Sequence, residues 1–148
     1  MSNKSNQPIF RIAGIAAFSA VFVIILEMAI TFLPGGNAIQ ESVQDWFVLF
    51  DNNWFLGLRN LGLLNMALQI IGLLMYFGIF TAYRDHKDSL LATLVMILAL
   101  IGISVFFASN RAFAMWDLSR QYAEATDPAL LAQFEATAKA MLVVGQSH

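Results

Sequence analysis

At 148 residues, the chain is 59% hydrophobic and only 12% charged, about half the charge of an ordinary soluble domain. Folded in water, a chain of this size would expose enough apolar surface to aggregate. Its net charge of −2 and lack of a basic patch argue against a nucleic-acid partner. The absence of cysteine excludes disulfides, thiolate nucleophiles, Cys zinc sites and iron–sulfur ligation.

Residues 1–8 are polar and read as a tail. The first long apolar run predicts a transmembrane helix over 9–33, longer than the h-region of a signal peptide and followed by no convincing cleavage site. Ala13 with Ala17, and Ala16 with Ala20, place small residues at four-residue spacing, which lets helices approach closely in lipid. Pro34-Gly35-Gly36 is the expected stop. Residues 37–52 read as an interfacial amphipathic helix capped by Asn37 with Gln40 in the capping-box position. A re-entrant turn and a plain loop are the alternatives.

The second span is expected over 56–83, its glycines serving packing. Arg84-Asp85-His86-Lys87-Asp88 is a tight polar connection to a third span over 89–110. Because Met115, Leu118 and Tyr122 continue a helical stripe, that helix is expected to run straight on, as far as 125. Asp127-Pro128 opens a last helix over 128–144, read as amphipathic or as the start of a fourth span, with Glu135 and Lys139 paired at i,i+4. The fold class expected is therefore all-α: a polytopic membrane helix bundle of three transmembrane helices with two amphipathic ones.

Lys4, Arg11, Arg84 and Lys87 fall on one side of these spans. The Pro34–Trp54 loop carries Glu41, Asp45 and Asp51 and no basic residue. The asymmetry places the N-terminus in the cytoplasm, although Arg59, Arg111 and Arg120 lie opposite.

Polar groups inside the spans are the candidate functional residues. Glu27 lies roughly 9 Å inside the outer end of the first span by helix rise. Counting inward the same way reaches Asn65 and Ser104, so the three define a candidate polar layer or ligand site, with Gln69 deeper. Glu27 either lines a polar pathway that exchanges a proton or is structural, satisfied by Asn65 or Arg59. Arg59 with Asn60, and Arg111 with Asn110, are candidate contacts for an anionic headgroup, or anchors reaching phosphate. Trp46, Trp54, Trp116 and Tyr122 form an expected outer interfacial belt. His86 and His148 lack a second ligand at metal spacing, and no zincin, phosphate-loop or nucleophile-elbow motif is present. No cofactor and no enzyme activity are expected.

The stretch Phe107-Ala108-Ser109-Asn110-Arg111-Ala112-Phe113-Ala114-Met115, with Leu118-Ser119 and Gln121-Tyr122-Ala123-Glu124-Ala125-Thr126 after it, resembles a family of bacterial multi-pass membrane proteins, domain-of-unknown-function family 4386. Arg11-Ile12-Ala13-Gly14-Ile15 fits the family's opening. The resemblance implies a bacterial inner-membrane location. It also implies a longer parent of which this chain is the N-terminal part, a fourth span beginning near His148. It carries over no catalytic residue. The leading expectation is a non-enzymatic accessory or structural subunit, with membrane lipids and either its own copies or a larger membrane complex as partners. A transporter, channel or lipid-binding protein centred on Glu27 and Asn65 is the alternative.

Overall fold

The computed structural model describes residues 6–33, 40–87 and 89–146. Among them the fold is all-α, without a strand: α1 (Gln7–Thr31), α2 (Val43–Asn52), α3 (Trp54–Asn60), α4 (Leu63–Tyr83), α5 (Ser89–Ser109), α6 (Ala112–Glu124) and α7 (Pro128–Gln146). Asn37 and the Pro34-Gly35-Gly36 stop lie outside the described residues. The chain divides into two compact units. One holds Met1–Ile30 and Leu64–Ala108, the other Thr31–Leu63 and Ser109–His148.

The first unit is built from α1, α4 and α5. Their side chains offer the backbone almost no alternative hydrogen-bond partners, so the N–H and C=O groups close on their own helix. Three stretches, Gln7–Thr31, Leu63–Tyr83 and Ser89–Glu124, are long and apolar enough to cross a membrane. In their most apolar windows only 6%, 11% and 11% of the residues are buried. What is buried is small or medium in size: Ala16 on α1, Met66, Gly78 and Thr81 on α4, and Met96 on α5. A Cβ on Gly78 would collide with the Cβ of Ala13, so α1 and α4 approach through a glycine facing an alanine. Thr81 donates its hydroxyl to the Phe77 carbonyl at 2.8 Å and so stays satisfied at 3% exposure. The 84–87 connection turns tightly, His86 N–H bonding the Tyr83 carbonyl and Ser89 N–H the His86 carbonyl.

The second unit packs four shorter helices, with α2 against α3, α6 and α7, and α6 against α3 and α7. Here the large side chains turn inward. Phe47, Phe50, Leu58, Ala112, Met115, Leu118 and Ala138 form the core, with Leu58 and Met115 the largest fully buried side chains. Each such burial contributes about 1.5–3 kcal/mol for a Leu, Met or Phe. The Phe47 and Tyr122 rings lie 4.4 Å apart, and the Tyr122 hydroxyl donates to Glu135 at 2.8 Å. Glu135, expected to face Lys139, thus joins α7 to α6. Phe50 lies so close to Gly57 that an added Cβ would sit 2.6 Å from its ring, which fixes the corner between α2 and α3.

Three boundaries differ from the sequence-based expectation, each for a local reason. The start of α2 is Ser42, not Asn37–Gln40: the Ser42 hydroxyl accepts from Asp45 N–H at 3.1 Å, and Asp45 accepts from Ser42 N–H at 2.9 Å. Asp45 also brings a negative charge to the helix N-terminus, which Gln40 cannot do. The second long helix begins at Leu63, not 56, because Gly62 has φ +99°, a left-handed conformation that closes α3 and reopens the chain as α4. Finally, the third long helix does not run straight to 125 but breaks at Asn110-Arg111. One side chain serves both interruptions. Asn110 Nδ2 donates to the Leu61 carbonyl at 3.2 Å, and its Oδ1 accepts from Ala112 N–H at 2.9 Å. The carbonyl freed by the first break and the amide freed by the second are both satisfied.

Candidate functional site

Within the apolar helices, the expected polar layer takes a looser form than its common depth implies. Glu27 and Gln69 are half-buried, and Asn65 and Ser104 are exposed. Ser104 turns its hydroxyl to the Leu100 carbonyl at 2.7 Å, the back-bond of a serine satisfied by its own helix. That hydroxyl is a helix-internal donor, so Ser104 leaves the layer.

Three of the four expected headgroup contacts hold separate elements together, while Asn60 accepts from its chain neighbour Arg59. Arg59 is only 6% exposed. Its Nη1 donates to Asn60 Oδ1 at 3.0 Å, and its Nη2 donates to Thr31 Oγ1 at the end of α1. Burying a guanidinium is costly unless its donors are met, and the forked group has enough donors to hold several elements at once. Arg111 reaches the Met141 carbonyl on α7 at 3.4 Å, and Asn110 bridges the two helix breaks. Three of the four thus make contacts within the chain, Arg59 to Thr31, Asn110 to Leu61 and Arg111 to Met141.

Of the expected aromatic belt, Trp54 and Trp116 are brought together, while Trp46 lies against Phe50 and Tyr122 against Phe47. Trp54 at the start of α3 and Trp116 on α6 have ring centroids 5.8 Å apart at 31°, and Trp46 lies 6.4 Å from Phe50. A cleft of about 250 Å³ opens beside the Trp54–Trp116 pair. A wider one, of about 610 Å³, runs between the start of α2 and α7, with Glu41, Trp46 and Lys139 in its walls. Beside it, the Ser42 hydroxyl and N–H hold the Asp45 carboxyl below its ordinary range. In the first unit, an apolar groove of about 330 Å³ lies between α4 and α5, lined by Tyr76, Phe80, Tyr83, Leu91 and Val95 among others. The His86 ring lies 6.0 Å from that of Tyr83, and Arg84 pairs with Asp85 at 3.7 Å.

Sequence reasoning missed Thr31 as a partner of Arg59 and Glu135 as the acceptor for Tyr122. Sequence separations of 28 and 13 residues leave no periodic trace. Comparison with protein-family models, with curated proteins and with solved structures finds no match.

Proposed function

We propose that this chain is a multi-pass integral membrane protein that acts without catalysis, as an accessory or structural subunit whose long helices pack against other membrane helices. The observation that carries the reading is the outward-facing apolar surface of α1, α4 and α5. Phe18 is 82% exposed, Ile15 68%, Leu90 72% and Leu98 66%. Such a surface has no stable place in water, and lipid or neighbouring helices would cover it at no hydrophobic cost. The small-residue approach of Ala13 to Gly78 supports the same reading, since close backbone contact is how helices associate in lipid. The basic residues Lys4, Arg11, Arg84 and Lys87 favour an orientation with the N-terminus in the cytoplasm.

Photo-crosslinking from Leu98 tests the subunit role. Capture of a membrane protein, whether a second copy or another chain, is the expected result. Adducts with lipid alone, at Leu98 and at Phe18, would refute it. A second reading draws on the half-buried Glu27 within α1. In a transporter or lipid-binding protein centred on Glu27 and Asn65, Glu27→Gln would abolish proton-coupled uptake into proteoliposomes while leaving the fold intact. Unchanged uptake in that variant removes this reading.

A further inference from the structure

The cleft beside Trp54 and Trp116 combines three chemistries that the packing of the second unit does not use. Trp116, Arg120 and Glu124 follow one another at four-residue spacing on α6, so one stripe of the helix presents an aromatic face, a cation and an anion in turn. Opposite them stand Trp54 of α3 and, from α2, Asp51, with buried Phe50 at the floor. Asp51, Arg120 and Glu124 are exposed, and their side chains make no hydrogen bond or ion pair among the described residues. Elsewhere in this unit, polar groups such as Arg59, Asn110, Arg111 and Tyr122 are committed to the chain itself. The charges around the tryptophans are therefore available to a ligand.

The balance of those groups selects among ligands. Two carboxylates against one guanidinium leave the rim negative by one charge, which disfavours a simple anion. Tryptophan is the best aromatic partner for an ammonium group, and its indole suits the headgroup layer. A volume of about 250 Å³ falls just below the usual range for small-molecule pockets, about 300–1,000 Å³. It suits a headgroup-sized fragment better than a whole lipid. We propose that this cleft binds the headgroup of a zwitterionic phospholipid, with the ammonium against Trp54, Trp116 and the two carboxylates and the phosphate against Arg120. This rests on the membrane reading above, because that reading puts the source of the zwitterion within reach.

The test uses the full chain in a non-ionic detergent, following tryptophan fluorescence during titration with choline, phosphocholine and inorganic phosphate. Phosphocholine is expected to bind about tenfold more tightly than choline, the gain expected from one charge-assisted contact, and phosphate alone to bind least. Arg120→Gln should erase the difference between phosphocholine and choline. Asp51→Asn with Glu124→Gln should weaken both about tenfold. Arg120, Asp51 and Glu124 are exposed, so these variants keep the core, and unchanged circular dichroism verifies it. Phosphate binding as well as phosphocholine, or an Arg120→Gln variant with undiminished preference, would overturn the proposal. In lipid nanodiscs, phosphatidylethanolamine or phosphatidylcholine should shift the tryptophan emission and phosphatidylglycerol should not. A shift with soluble phosphocholine but none in nanodiscs would overturn the lipid as the source. Failure of every titration by a protein that still fractionates with membranes would sink this proposal and leave the membrane reading standing.

Discussion

The two units use apolar residues in opposite ways. In the first, large side chains such as Phe18 on α1 and Leu90 and Leu98 on α5 point outward, and what is buried is Ala16, Met66, Gly78, Thr81 and Met96, with Gly78 against Ala13. In the second, Phe47, Phe50, Leu58 and Met115 point inward and close a core between short helices. Both the greater hydropathy of α1, α4 and α5 and the direction of the largest side chains separate these regions. A unit that buries its bulk is organised as a water-facing domain is. A unit that displays its bulk needs an apolar surrounding to be stable.

Breaking the buried core should have the largest effect. Met115→Ala is expected to destabilise the second unit by about 2–5 kcal/mol, read as a fall in the denaturation midpoint in detergent. Leu98→Ala, on an exposed position of α5, should shift it hardly at all. Equal losses at the two sites would erase the contrast. In the first unit, Gly78→Val tests whether small-residue contact matters there. It should cost about 1–3 kcal/mol through overpacking against Ala13, whereas Gly102→Val, with open space around it, should be nearly silent. Next comes the glycine that closes α3. Gly62→Ala places a side chain at φ +99° and crowds Asn110, for an expected loss of about 1–2 kcal/mol in thermal unfolding. Asn110→Ala should act in the same direction.

The smallest effect is set by pH. The Asp45 carboxyl titrates below its free value of 3.8 because Ser42 bonds its charged form. A depressed folded-state value means that its contribution is fully present above the unfolded value and is lost as pH falls through the folded one. Melting of the wild-type protein should therefore lose this contribution only below about pH 4. Ser42→Ala should flatten that part of the profile, and an unchanged profile would show that the cap does not matter.

Apolar run length made the three long helices readable, since α1, α4 and α5 are mostly Leu, Ile, Val, Phe, Ala and Met with few polar interruptions such as Glu27, Asn65, Gln69 and Ser104. The breaks were not readable. Gly62 looked like the packing glycines of a membrane helix, and nothing in a single Gly announces a positive φ. Asn110-Arg111 was hidden because the 3.6-residue stripe holds on both sides of it, through Met115 and Leu118. The same stripe did identify side chains that the structure buries, but assigned them to an extended helix and not to a separate bundle. Of the candidate site, the tryptophans were legible as an aromatic set. The commitment of Arg59 to Thr31 was not, because the two residues lie 28 positions apart in the chain. Charge type and depth along a helix can be counted from sequence, whereas the partner across a contact cannot.

The placement of α1 and α5 in lipid is the claim most directly open to measurement, and a chain without cysteine permits it cleanly. Single cysteines at Phe18, Leu98 and Lys87 would be exposed, in opened membrane vesicles, to a membrane-impermeant maleimide. The expected result is that Lys87→Cys labels at once, while Phe18→Cys and Leu98→Cys stay unlabelled until the bilayer is dissolved in denaturing detergent. Prompt labelling of all three in intact bilayer would contradict it.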